Sequence, residues 1–239
     1  IYLGGGTPSL LKPKHLEQLF STLNSRFTLL PESELTIEVN PGDVTVDALR
    51  CWESIGINRI SLGLQAMDDT LLQFLGRRHS VNDAMNAVEL IQTMSSTKLG
   101  LDLIFGIPGQ SIASWKSALE QVTRLKPDHL SCYQLSIEQG TPLGRAVTKG
   151  QVAPVSVETE ADFFFLTHEI LESKGFHHYE VSNYAVSKND YALHNTKYWF
   201  RAPYVGFGAG AHSFTGGQRL WNHSLRDEYC QNITRQQQP

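Results

Sequence analysis

The sequence predicts an α/β fold in which short parallel strands alternate with helices. Five apolar, strand-like runs follow one another, and the first leads directly into three consecutive glycines at residues 4–6. The runs recur about every 30 residues, which is the length of one strand, one helix and two loops. Their Leu, Ile and Val content is typical of strands that are covered on both faces of a sheet.

The four later strands are each predicted to end in a polar residue. These residues are Glu38, Gln65, Asp102 and Gln134. The carboxyl ends of parallel strands converge on one mouth, where such sheets bind ligands and perform chemistry. The sequence therefore predicts a functional site at this edge.

Helical spacing of apolar residues predicts four helices between the strands. Pro13 begins the first and Thr45 caps the second, while the fourth opens at Ser111 or Ser114 and stops before Pro127. The apolar positions of these helices are Leu16, Leu19, Phe20, Leu23, Val46, Leu49, Trp52, Ile55, Val81, Ala84, Val88, Ile91, Trp115, Leu119, Val122 and Leu125.

A fifth helix is predicted from about residue 157 to residue 174. Its inward face is expected to carry Ala161, Phe165, His168 and Leu171. Beyond residue 176 the alternation of helix and strand fades into an irregular segment rich in aromatic residues, glycine and histidine. We therefore divide the chain into residues 1–175 and 176–239.

Composition excludes several classes of protein. Hydrophobic residues make up 41% of the 239 residues and charged residues 18%, which is enough for a sizeable core. The net charge is −4, and the only dense basic site is Arg77-Arg78-His79, so we do not expect a nucleic-acid partner. No run is long enough for a membrane span, and the first residues form a strand rather than a signal peptide.

The cysteines and the chain ends add two expectations. Cys51, Cys132 and Cys230 are far apart and form no CxxC pair, which favours a reducing cytoplasm without disulfides. The chain starts at Ile1 inside a strand and stops at Pro239 just after a helical pattern. We interpret it as a fragment of a longer protein.

The GGGTP segment allows close approach of the backbone to a ligand, because glycine has no Cβ. A tight strand–helix turn is the alternative interpretation. The segment is not a Walker loop, since no Gly-Lys-Ser/Thr follows, and Thr7-Pro8 does not fit a Rossmann fingerprint. Residues 206–211 match G-x-G-x-x-A, but no helical pattern follows, so we reject a dinucleotide site there.

Four polar residues near the predicted mouth suit one kind of ligand. Each alone is more often an ion pair or a satisfied polar residue than a site. Together, Asp102 can accept two ribose hydroxyls, Arg77 can bind a carboxylate through two hydrogen bonds, and Glu38 can receive an ammonium group. With Gln65, these are the groups that an amino-acid-bearing nucleoside needs.

Eight segments spread over nearly the whole chain carry a family resemblance: IYLGGGTPSLL, IEVNPGDVT, INRISLGLQAMDDTLLQFLGRRHS, LGLDLIFGIPGQ, HLSCYQLSIEQGTPL, YEVSNYA, HNTKYW and GFGAGAHSF. They resemble the oxygen-independent coproporphyrinogen III oxidase-like proteins of the radical S-adenosylmethionine (SAM) superfamily, and most closely the HemW-type haem-chaperone branch. The resemblance implies a partial parallel, TIM-like (β/α)6 barrel that lacks its first strand and holds SAM against a [4Fe-4S] cluster. The implied SAM contacts are Gly5, Gly6, Thr7, Glu38, Gln65, Arg77 and Asp102.

One departure from the family concerns the cluster. The family's CxxxCxxC loop, which supplies three thiolates, lies before the GGGTP strand, and this chain begins after that point. Cys51, Cys132 and Cys230 do not match the motif. We therefore expect no metal ligands in this chain and place the cluster cysteines upstream of Ile1. The family's smaller C-terminal domain is also missing, and fragment status explains both absences more simply than a degenerate paralogue.

HNTKYW separates the branches of the family. The resemblance implies that His194, Asn195, Tyr198 and Trp199 form a signature of the haem chaperones, which the true oxidases lack. An imidazole with aromatic neighbours suits an axial haem ligand beside a flat porphyrin. The alternative is that His194 caps a loop while the aromatic residues pack in the core.

These observations lead to a functional hypothesis for the intact protein. We expect a cytoplasmic haem chaperone that binds haem, SAM and a [4Fe-4S] cluster and passes haem to an acceptor protein. An electron donor is a second expected partner, and the acceptor can be membrane-associated although the chain has no membrane segment. The alternative is an enzyme that oxidatively decarboxylates coproporphyrinogen III, and a plain SAM- or nucleotide-binding module is a third class.

Overall fold

The computed structural model describes residues 1–235 of the chain. These residues form two compact units, the first covering residues 1–191 and the second beginning at Ala192. The predicted division at residue 175 stays a prediction. Within the described residues, no helix is both long enough and apolar enough to cross a membrane.

The first unit is built on a seven-stranded sheet. Its strands are β1 (Tyr2–Leu3), β2 (Thr36–Val39), β3 (Arg59–Gln65), β4 (Lys98–Phe105), β5 (His129–Gln134), β6 (His177–His178) and β7 (Asn183–Ala185). Strands β1 to β5 pair parallel and in sequence order. Strand β7 pairs antiparallel with both β5 and β6, so it separates β6 from the rest of the sheet.

Helices connect the strands of this sheet. They are α1 (Pro13–Arg26), α2 (Val46–Ser54), α3 (Asp69–Phe74), α4 (Val81–Ile91), α5 (Ile112–Arg124), α6 (Pro142–Thr148) and α7 (Val157–Ser173). The predicted α/β class with a mostly parallel, incomplete barrel is confirmed, and no closed barrel forms within the described residues. The short helices α3 and α6 were not predicted.

The residues predicted to begin or cap the helices do so in the structure. Pro13 is the first residue of α1, and the Thr45 hydroxyl accepts a hydrogen bond from the Ala48 amide at the start of α2. For α5, Ser111 is the capping residue, and its hydroxyl and that of Ser114 each accept from the other residue's backbone N–H. Of the two predicted starts, Ser111 and Ser114, this capping box shows that Ser111 is correct.

Helix α7 faces the core with a side that only partly matches the predicted one. Its buried residues are Phe163, Thr167, Ile170 and Leu171, whereas Phe165 is 66% exposed. The hydroxyl of Thr167 accepts a 2.8 Å hydrogen bond from the indole nitrogen of the buried Trp115 and donates to the carbonyl of Phe163. This buried polar contact fixes the rotation of the helix, so the prediction of Phe165 as a core residue is wrong. His168 is half-buried, with its ring 5.2 Å from that of His178, and Leu171 is buried as predicted.

The amino ends of the parallel strands are held by ion pairs. The guanidinium of Arg59 is buried, pairs with Glu34 at 2.9 Å, and donates to the carbonyl oxygens of Asp190 and Tyr191. Lys98, at the start of β4, pairs with Asp190 at 2.9 Å. These contacts tie the segment that ends the first unit to the sheet, and they lie at the end opposite to the predicted mouth.

The second unit contains more regular structure than the sequence pattern indicated. It consists of α8 (Leu193–Trp199), an antiparallel pair of β8 (His212–Phe214) and β9 (Arg219–Trp221), and α9 (Arg226–Thr234). Tyr204 extends the small sheet through a bridge to Phe214. Many of its large apolar side chains are exposed, including Trp199, Phe200, Phe207 and Trp221.

Candidate functional site

A cleft of about 470 Å³ lies at the predicted mouth of the sheet. Six of the seven predicted SAM contacts line it, namely Gly6, Thr7, Glu38, Gln65, Arg77 and Asp102. The seventh, Gly5, contacts one of them through its backbone, since its N–H donates a 3.2 Å hydrogen bond to Oε2 of Glu38. The structure therefore brings these residues together, while their role toward SAM stays a prediction.

The glycine loop leaves β1 in a conformation that other residues rarely adopt. Gly5 and Gly6 have φ values of 71° and 72°, and a Cβ at either position would meet no atom within 4 Å. Gly4 is constrained differently, because a Cβ there would lie 2.4 Å from the ring of Tyr2 and 2.8 Å from the carboxylate of Glu38. The loop consequently needs glycine for its φ angles and for close packing, and it leaves open space beside its backbone.

The carboxylate of Glu38 joins β2 to the strand and loop before it. The Tyr2 hydroxyl donates a 2.6 Å hydrogen bond to Oε1, and the Gly5 amide donates to Oε2. Burial, together with the charge and hydrogen bond of Glu38, raises the pKa of Tyr2 far above its usual value, so the phenol stays a donor. Glu38 thus positions the glycine loop, and each of its oxygens retains a second lone pair for a ligand.

Asp102 lies deeper in the cleft than the sequence predicted. It is in the middle of β4, which continues to Phe105, so the prediction that it ends a strand is wrong. Apolar residues continue the strand past Asp102, and a pleated strand keeps the side chains of Asp102 and Ile104 on one face. Both residues line the cleft.

The two oxygens of the Asp102 carboxyl differ in their surroundings. Oδ2 accepts a 2.6 Å hydrogen bond from the Ser61 hydroxyl, whereas Oδ1 is buried and has no hydrogen-bond partner among the described residues. Burial raises the pKa of Asp102 to about 6, the Ser61 and Ser131 hydroxyls partly offset this rise, and nearby Glu38 adds to it. An unsatisfied buried acceptor is costly, and a hydroxyl donor from a ligand would relieve that cost.

Gln65 ends β3 in a strained turn. Its φ is 67°, and the Ala66 amide donates a 2.8 Å hydrogen bond to the carbonyl of Leu64, which closes a three-residue turn around it. A Cβ on Gly63 would lie 2.5 Å from the side-chain nitrogen of Gln65, so this side chain folds back across Gly63. Strain of this kind concentrates at ligand sites, where the surrounding structure holds it in place.

Arg77 follows α3 and borders two clefts. It lines the main cleft and a neighbouring one of about 480 Å³, to which Arg78 and His79 also contribute. None of the ion pairs between described residues involves Arg77. Its guanidinium therefore remains suitable for a ligand carboxylate.

The sequence interpretation missed several residues of this site, three of which matter for its electrostatics. These three are Tyr2, which positions Glu38, Ser61, which donates to Asp102, and Tyr133, which lines the cleft. Burial and the charge of Asp102 raise the pKa of Tyr133 to about 12. Side chains alternate between the two faces of a strand, so Ser61 lies on the same face as Gly63, which also lines the cleft. This alternation is the sequence signal that could have identified Ser61.

The predicted haem residues lie in the second unit on α8. Nε2 of His194 is 3.2 Å from the Tyr198 hydroxyl, and their rings meet edge to face at 5.0 Å. Burial and the neighbouring Lys197 lower the pKa of His194 to about 3, so its imidazole is neutral at physiological pH. Asn195 is half-buried and Trp199 is 58% exposed. Within the described residues, Tyr198 and Trp199 are therefore not packed in a core.

The cysteines do not fit an iron–sulfur cluster. Cys51 on α2 and Cys132 on β5 are buried, whereas Cys230 on α9 is exposed. Burial raises the pKa of Cys132 well above its usual value, which disfavours the thiolate that ligation requires. No group of three potential metal ligands occurs among residues 1–235. For SAM the fit is better, because the open glycine loop and the unpartnered Asp102 oxygen match its polar groups.

Comparison with known proteins places these features in context. The family model of the radical SAM superfamily matches residues 1–122. A haem chaperone HemW from Synechocystis sp. is 38% identical over 97% of this chain and 56% of its own length. A mitochondrial radical S-adenosyl methionine domain-containing protein 1 from Danio rerio is 36% identical over 89% of this chain and 48% of its own length.

The fold also matches a solved structure. The coproporphyrinogen III oxidase HemN from Escherichia coli, described as a radical SAM enzyme, superposes with a TM-score of 0.84 and 22% sequence identity. The match covers 98% of this chain and 56% of that protein. The chain thus spans about half the length of the relatives that it matches.

Proposed function

Because the chain belongs to the radical SAM superfamily and is similar to its HemN- and HemW-like members, we propose that its cleft binds SAM and that the intact protein is a haem chaperone. The observation that carries the SAM assignment is the convergence of Glu38, Gln65, Arg77 and Asp102 around one cleft with an unpartnered carboxylate oxygen. The chaperone assignment is supported by haem chaperones among the relatives, including one that is 38% identical.

The polar groups of the cleft suit the two ends of SAM. Asp102 would accept from the ribose hydroxyls, and Arg77 would bind the carboxylate. Glu38, already oriented by Tyr2 and Gly5, would receive the ammonium group beside the glycine loop. When bound, SAM supplies the radical chemistry after which the superfamily is named, and the protein's part is to bind and orient it.

His194 and the aromatic residues around it would bind the haem cargo. A neutral imidazole is the form that ligates iron, and the low pKa of His194 maintains that form. Exposed Trp199 offers apolar surface beside it. We propose that haem passes from this unit to an acceptor protein in the cytoplasm, that the acceptor can be membrane-associated, and that an electron donor serves the [4Fe-4S] cluster of the intact protein.

Two binding measurements test this function. SAM and adenosine are titrated calorimetrically into the wild-type chain and into the Asp102→Ala variant, and both ligands should bind more weakly to the variant because both carry the ribose. Haem is titrated separately, with the Soret band as readout, and about equimolar binding is expected. Conversion of coproporphyrinogen III by the intact protein with SAM under reducing, anaerobic conditions, without haem retention after gel filtration, would instead favour the oxidase.

A further inference from the structure

The second unit differs in charge from the chain as a whole. Between residues 192 and 235 the sequence contains five Lys or Arg and two Asp or Glu, which gives a net charge of +3, whereas the whole chain carries −4. The unit also exposes most of its large apolar side chains. A basic, aromatic surface in an acidic protein suits an anionic ligand with a large apolar body.

Two cations lie beside the aromatic residues near His194. The Lys197 ammonium is 5.3 Å from the ring centroid of Tyr198 and 5.2 Å from that of Tyr204. Lys197 and Tyr198 follow His194 by three and four positions on α8, which places all three on one side of the helix. A ligand bound at His194 would therefore lie within reach of the ammonium group.

The second cation is Arg219, at the start of β9. Its strand neighbour Phe214 is bridged in turn to Tyr204, so the three residues form one row across the small sheet. Burial raises the pKa of Tyr198, and the positive charge of Arg219 partly offsets that rise, which indicates that the guanidinium acts on the same phenol. The rings of Tyr198 and Tyr204 meet edge to face at 4.8 Å.

We propose that Lys197 and Arg219 bind the carboxylate side chains of the porphyrin, so that the second unit selects an amphiphilic planar dianion and not any flat apolar molecule. This inference rests on the proposed haem role of the same unit. An aromatic surface alone would bind porphyrins whatever their charge. Cations next to it add charge-assisted hydrogen bonds that only a ligand with free carboxylates can make.

The test compares haem with haem dimethyl ester, in which both carboxylates are blocked. Soret titrations use the full chain as wild type, Lys197→Gln, Arg219→Gln and the double variant. Arg226→Gln serves as the matched control, because Arg226 is exposed and already paired with Asp227 at 2.9 Å. Circular dichroism and thermal melting verify that each variant is folded.

We expect each single variant to bind haem about three- to ten-fold more weakly, as for partly exposed charge pairs. Wild type should bind the ester more weakly than haem, and ester binding should be unchanged in all variants. Wild type should also bind iron-free protoporphyrin more tightly than its dimethyl ester, because recognition of the carboxylates does not involve iron.

Two results would overturn the inference while leaving the haem role intact. One is equal affinity of wild type for haem and its ester. The other is that the variants lose affinity for haem and for the ester to the same extent. If wild type binds neither haem nor its ester, the haem function itself fails, and the inference fails with it.

Discussion

The Tyr2 hydroxyl donates a 2.6 Å hydrogen bond to Oε1 of Glu38, and this contact links the first two strands at the mouth of the sheet. The other carboxylate oxygen accepts from the Gly5 amide, so one side chain orients both a strand and the glycine loop. Glu38 is therefore part of the support of the cleft as well as part of its lining.

Replacing Tyr2 by Phe removes one donor and leaves the rest of the site in place. We expect the free energy of unfolding to fall by about 1.5–3 kcal/mol, the range for a hydrogen bond to a charged group, and SAM to bind more weakly because the loop is less firmly held. Urea denaturation and calorimetry measure the two effects. Tyr229→Phe is the control, since the Tyr229 hydroxyl accepts from the Gly208 amide in the second unit. Unchanged SAM affinity in the Tyr2 variant would show that the loop does not depend on this contact.

Asp102 makes stability depend on pH. Because its pKa is raised to about 6 in the folded protein, the folded state holds a proton that the unfolded state has lost, and stability falls as pH rises through this range. Asp102→Asn should therefore increase the free energy of unfolding by up to about 3 kcal/mol above pH 7 and have little effect below pH 4. Denaturation series between pH 4 and pH 8 test this. A gain that does not vary with pH would point to packing instead of ionisation.

Arg77 and its neighbour Arg78 offer a matched pair of substitutions. Arg77 lines both clefts, whereas Arg78 lines only the neighbouring one. Arg77→Ala should weaken SAM binding by about 1.5–3 kcal/mol, because a charge-assisted contact to the carboxylate is lost, while Arg78→Ala should have little effect. Adenosine, which lacks the carboxylate, should bind both variants like wild type. Equal losses for Arg77→Ala and Arg78→Ala in calorimetry would argue for a general effect of positive charge.

The hydrogen bond between Tyr198 and His194 occupies Nε2 of His194, the atom through which this imidazole would bind the haem iron. Tyr198→Phe removes this competitor and keeps the aromatic ring, so haem should bind more tightly by about 0.5–1.5 kcal/mol, the net worth of one such bond. His194→Ala should shift or abolish the Soret band. Weaker haem binding by Tyr198→Phe, with Tyr229→Phe unchanged, would mean that the phenol contacts the ligand directly.

The sequence predicted the fold class and the convergence of Glu38, Gln65 and Asp102 because both follow from strand and helix periodicity, whereas the full set of site residues came from the family resemblance. It could not predict how deep Asp102 lies, since an apolar run does not show which residue ends the paired part of a strand. Nor could it predict the rotation of α7, because the Trp115–Thr167 hydrogen bond joins residues that are 52 positions apart. The positive φ of Gln65 has no sequence signature either, as Gln is not a residue that favours such turns.

The placement of β7 between β5 and β6 affects the order in which the sheet can assemble. Strand β6 precedes β7 in the chain but, among the described strands, pairs only with β7, so it cannot join the sheet before the later strand does. Residues 177–178 therefore join the sheet after residues 183–185 or together with them. The same dependence holds in reverse, so separation of β7 from β5 also detaches β6, and the amide protons of both strands should exchange with solvent in a single cooperative opening.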